Sequence, residues 1–139
     1  MSVEKNITIF HCLQQTIEGE AQEAIVQRVE GKWYDEEKIK YFTYEEKAEL
    51  GVIYNRLVVK DNGLYLERSG AIEMVLHWSN GQITKGSYQS KIITLDYECK
   101  CHKVVFIETI DGICVQVNYQ LKIGGAVTEN EMTMEVKYH

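Results

Sequence analysis

The sequence predicts an all-β protein, one antiparallel sheet of about 8–10 strands wound up and down and closed into a barrel. Hairpin punctuation, two-residue alternation of apolar and polar side chains, and a shortage of helix-forming runs carry that expectation. Asp61-Asn62-Gly63, Ser79-Asn80-Gly81 and Asp111-Gly112 each separate segments rich in Val, Ile, Tyr and Leu. Asn-Gly and Asp-Gly supply the positive φ angles of tight primed turns, so each reads as a hairpin tip. Looser turns fall at Glu18-Gly19, Asp35-Glu36-Glu37, Ser69-Gly70 and Gly124-Gly125.

Taken in chain order, the strands alternate. Ile39, Tyr41, Thr43 and Glu45 fall on one face, and Tyr44 to Leu50 is the one stretch whose Glu, Lys and Ala content favours a helical turn. Leu64 and Leu66 are followed in phase by Arg68, then Ile72, Met74, Leu76 and Trp78 share a face. Leu95, Tyr97, Cys99 and Cys101 repeat the pattern. So do Ile113, Val115, Val117, Tyr119, Leu121 and Ile123, and Met132, Met134 and Val136 close the chain. A sheet this wide curls, and closure removes the unpaired edges that template aggregation. Hairpin-length connections favour up-and-down winding over a sandwich.

A chain of 139 residues without linker, repeat or low-complexity tract reads as one domain, 1–139. It is long enough to bury about two-thirds of its unfolded surface without disulfide or metal. With 21 acidic against 15 basic residues and a net charge of -6, its field repels nucleic acid and anionic membranes. Met1 to Thr8 has no signal-like apolar run, and no stretch nears the ~20 apolar residues of a membrane span, so a cytoplasmic protein is expected. Cys12, Cys99, Cys101 and Cys114 are then expected as free thiols. Monomer and homodimer both fit.

Polar residues in phase with an apolar face are the candidates for chemistry, because a buried charge needs a partner or a solvated cavity. Arg68 and Glu45 qualify, and both are expected inside the barrel. They form either a structural ion pair or a site in which Arg68, with Tyr41, Glu45, Tyr88 and Trp78, holds a small apolar or anionic ligand. Cys99-x-Cys101-His102 has poor spacing for a metal, since His102 points away from both cysteines. No nucleophile elbow, phosphate loop or paired catalytic carboxylates appear, so no catalytic residue, metal or cofactor is assigned.

Gly31 with Tyr34, Tyr41, Tyr44-Glu45, Leu66-Glu67-Arg68-Ser69-Gly70, Gly86-x-Tyr88 and Asn130-x-Met132 together resemble the YwiB-like domain-of-unknown-function proteins of bacteria. The resemblance covers nearly the whole chain and implies a calycin-like, or lipocalin-like, barrel in a bacterial cytoplasm. It brings no activity or cofactor. The chain departs from the family pattern after Tyr88, where Gln89-Ser90-Lys91-Ile92-Ile93 replaces a Thr-Pro and glycine turn. By analogy with calycins, the leading expectation is a non-enzymatic small-molecule binding barrel. The first alternative is an interaction module whose barrel is filled by Met74, Trp78, Tyr97 and Tyr119. The second is an enzyme using Glu45 as a carboxylate at the barrel mouth.

Overall fold

The long alternating segments find partners in chain order, each hairpin laying the next strand beside the last. In the computed structural model, which describes residues 3–139, the strands are β1 Val3–Ile17, β2 Glu20–Ala21, β3 Ile25–Glu36, β4 Ile39–Ala48, β5 Gly51–Lys60 and β6 Gly63–Gly70. They continue as β7 Ile72–Trp78, β8 Ile83–Ser90, β9 Thr94–Glu108, β10 Gly112–Ile123 and β11 Ala126–Tyr138. Of the Met1 to Thr8 stretch, Met1 and Ser2 lie outside the described residues.

Strands β3 to β11 form an antiparallel meander, and β1 closes it by pairing with both β3 and β11. The result is a closed ten-stranded barrel plus the two-residue β2. Register explains that extra piece: β2 and β3 pair along the same edge of β1, with Thr16 opposite Ala21 and Leu13 opposite Ile25. The one-residue shift between them marks a bulge in a single strand line. A second shift, in the β9–β10 ladder at Asn118/Tyr119, turns Val104 and Phe106 toward the core on β9.

The expected alternations are buried as read: Leu64 and Leu66 on β6, the β7 set, Tyr97, Cys99 and Cys101, Ile113 to Tyr119, and Met132 to Val136. One end of the barrel is packed solid by Ile7, Ile9, Trp33, Phe42, Leu57, Trp78, Val115 and Val117. Each large aliphatic or aromatic side chain in such a core contributes about 1.5–3 kcal/mol.

Two expectations need correction, both on β4. Tyr44 to Leu50 makes no helical turn: Glu45 to Ala48 pair with Tyr54 to Gly51, and only Glu49 and Leu50 form the turn. Helix propensity over so few residues is worth little beside a strand ladder. The phase is also shifted by one. Phe42, Tyr44 and Glu46 point inward, while Tyr41, Thr43 and Glu45 point outward. Both faces of this strand carry apolar bulk, and the Phe42 and Tyr44 pair buries more of it. Tyr41 is sheltered outside instead, its ring stacked on Tyr34 at 4.8 Å with the Arg56 guanidinium 5.0 Å above it.

Among the described residues no helix is long and apolar enough to cross a membrane. All four cysteines are free thiols.

Candidate functional site

Beyond the apolar end, the inward alternation turns polar. Arg68 on β6 stands opposite Asn55 on β5, which stands opposite Tyr44 on β4. The Arg68 Nη2 lies 3.1 Å from Glu46 Oε1, its Nε donates to Asn55 Oδ1 at 3.1 Å, and Asn55 Nδ2 donates to the same Glu46 oxygen at 2.9 Å. Arg68 has an inward ion-pair partner, but it is Glu46; the Glu45 expected to meet it is exposed on the outer face. The misread phase on β4 accounts for the substitution.

His11, in phase with Ile7 and Ile9 on β1, joins this cluster, and its Nδ1 is buried without a hydrogen-bond partner. Burial lowers the His11 pKa; the Glu46 carboxylate opposes this, and the Arg68 guanidinium adds to the lowering. Burial also raises the Tyr44 and Tyr119 hydroxyls well above the ordinary tyrosine range, holding both as neutral phenols. Asn130 on β11 is buried, accepting from Gln15 Nε2 at 3.0 Å and donating to Thr128 Oγ1 at 2.9 Å.

The other sequence candidates disperse. Trp78 is buried at the apolar end, its ring 5.2 Å from that of Tyr119. Tyr88 bridges the main core to a small cluster of Ile53, Ala71 and Ile72. Tyr41 faces outward and donates to Glu36 at 3.2 Å. Cys99 and Cys101 are core residues, with burial pushing the Cys99 thiol up to about 12, while His102 points outward to Glu129 at 3.1 Å. No cluster of three or more metal-capable side chains occurs among the described residues.

A groove of about 920 Å³ has both Arg68 and Glu45 in its lining, although their side chains lie on opposite faces of the sheet. It crosses the outer face of β3 to β7, and its walls include Lys32, Lys47, Tyr54, Arg56, Glu67 and Val75. Three of its cations are engaged: Lys32 with Glu4 at 3.1 Å, Arg56 with Glu67 at 2.8 Å, and Arg68 with Glu46. Lys47 has no ion-pair partner among the described residues. Sequence reasoning missed Glu46, Asn55, His11 and Lys47. Had the phase of β4 been set by Phe42 and Tyr44, Glu46 would have been found two residues further on.

An up-and-down antiparallel barrel, closed by its first strand, with a polar cluster at one end, defines the class of this protein. A family model described as a domain of unknown function (DUF1934) matches residues 10–136, and the chain belongs to that family. Its fold is similar to that in the crystal structure of ywiB protein from Bacillus subtilis, at a TM-score of 0.89 and 20% sequence identity. The likeness covers 98% of this chain and 93% of that one. No curated protein matches the sequence.

Proposed function

We propose that the protein is a non-enzymatic, cytoplasmic binding module that takes a small ligand with an apolar body and an anionic group in the outer groove across β3 to β7. The groove volume of about 920 Å³ carries the reading, since it lies within the range of roughly 300–1,000 Å³ usual for small-molecule sites. Tyr54 and Val75 supply apolar surface, and Lys47 supplies a cation with no ion-pair partner among the described residues. Arg68 forms one wall and is braced by Glu46 and Asn55, so its part is to hold shape as much as charge. Glu45 on the opposite wall is exposed, without the burial that would favour a general acid.

The test is native mass spectrometry of the gently purified protein beside Thr43→Trp and Lys47→Ala. Thr43 faces outward among the groove residues, so an indole there blocks the site without entering the core. A bound mass present in wild type, lost in Thr43→Trp and weakened in Lys47→Ala supports the reading. A mass retained by Thr43→Trp overturns the location. A second reading, an interaction module with a filled barrel, is favoured by the burial of Met74, Trp78, Tyr97 and Tyr119 in the interior. Wild type arriving empty, and showing no thermal shift with a panel of small carboxylates and phosphates, would favour that module.

A further inference from the structure

Of the ten ladders that close the barrel, nine run for at least five residue pairs. The tenth does not: β7 and β8 pair only at Ile72↔Ser90 and Glu73↔Gln89. Continued in that register, Val75 would face Ser87 and His77 would face Lys85, but no ladder forms there. Two side chains stand in for it. The Tyr97 hydroxyl, reaching from β9 across Gly86, donates to the Val75 carbonyl, and Thr84 Oγ1 donates to the His77 carbonyl at 3.4 Å.

These contacts fix the direction of the main chain. The N–H and C=O of one strand residue point to the same side, so Val75 and His77 turn both groups toward β8. Across the seam, no ladder pairing joins Val75 or His77 to Ser87 or Lys85. A cavity of about 520 Å³ fills the seam. It is lined by outward residues, among them Val75, His77 and Lys85, and by the inward Arg68, Met74 and Tyr97, so it passes through the barrel wall.

We propose that this seam takes up an extended peptide segment of about five residues as an added strand, with Tyr97 and Thr84 as its gate. Donors and acceptors alternating along two facing walls match another peptide backbone. An anion would need donors alone, and an apolar ligand would pair with none of these groups. Outward side chains of the added strand meet the exposed Val75 and Ile83, and an inward acidic side chain meets Arg68. This site adjoins the outer groove and shares Arg68 and Val75 with its lining, but it lies between β7 and β8.

Amide exchange and nuclear magnetic resonance on the isotope-labelled full chain test it. In the free protein the amides of Val75, His77, Lys85 and Ser87 should exchange at least about tenfold faster than those of Val115 and Val117, which sit in complete ladders. The blocked peptide acetyl-Val-Glu-Val-Glu-Val-amide should then slow those four amides and shift the Arg68 Nε signal, with a weaker response when its glutamates are replaced by glutamine. Tyr97→Phe, which opens the gate but keeps the ring, should strengthen the response severalfold. Equal protection of all six amides in the free protein overturns the proposal, as does a peptide that leaves the four unchanged at millimolar concentration. Thr43→Trp should leave the peptide response intact; its loss would assign the peptide to the groove and overturn the seam site.

Discussion

Replacing Gly86 by alanine should be costly for a reason that lies entirely in one neighbouring ring. The backbone of Gly86 is not in the left-handed region, so alanine is conformationally acceptable there. A Cβ, however, would stand 2.6 Å from the Tyr97 hydroxyl oxygen and 2.7 Å from two of its ring carbons. The ring must move and surrender its hydrogen bond to the Val75 carbonyl. Overpacking costs about 1–3 kcal/mol and the lost bond about 0.5–1.5 kcal/mol, so Gly86→Ala should destabilise by about 1.5–4.5 kcal/mol. Tyr97→Phe, which loses only the bond, should cost about 1 kcal/mol. In a Tyr97→Val background the obstruction is gone, and Gly86→Ala should be neutral or stabilising by about 0.5–1 kcal/mol, since glycine is a poor strand-interior residue. Urea unfolding followed by the fluorescence of Trp33 and Trp78 reads the wild type and all four variants, and the double-mutant cycle isolates the coupling. If Gly86→Ala costs the same in both backgrounds, the ring is not the reason and the account of the seam fails.

Two further predictions concern titratable groups elsewhere. The His11 pKa is lowered in the folded state, so the unfolded chain binds more protons as pH falls below the ordinary histidine value of about 6.5. Stability contributed by neutral His11 is complete above that value and is lost between it and the lower folded pKa; His11→Met should flatten this part of the stability–pH curve, and an unchanged slope would refute the burial argument. Thiol labelling with a disulfide reagent at pH 8 should modify exposed Cys114 and half-buried Cys12 in the native protein, while Cys99 and Cys101 react only after denaturation. Fast labelling of Cys99 would contradict both its burial and its raised pKa.

Most of the barrel was legible because its information is local. Asn62-Gly63 and Asp111-Gly112 sit at hairpin tips, Asn80-Gly81 marks the turn from β7 to β8, and strict alternation from Ile113 to Ile123 leaves only one face that can be buried. β4 shows where local information stops. In Ile39-Lys40-Tyr41-Phe42-Thr43-Tyr44-Glu45-Glu46 both faces carry aromatic bulk and both end in glutamate, so the alternation cannot choose between them.

The sequence by itself determined the all-β class, the winding order and the inward direction of Arg68, because a period of two and turn chemistry act over a few residues. Only the tertiary structure decided which glutamate meets Arg68, that His11 joins the pair from 57 positions away in sequence, and that the ladder parts between β7 and β8. Each of those outcomes depends on how distant strands pack around a closed barrel. Tyr97 reaches Val75 only because the meander lays β9 one strand away from β7 and the strand between them carries a glycine, Gly86, opposite the ring.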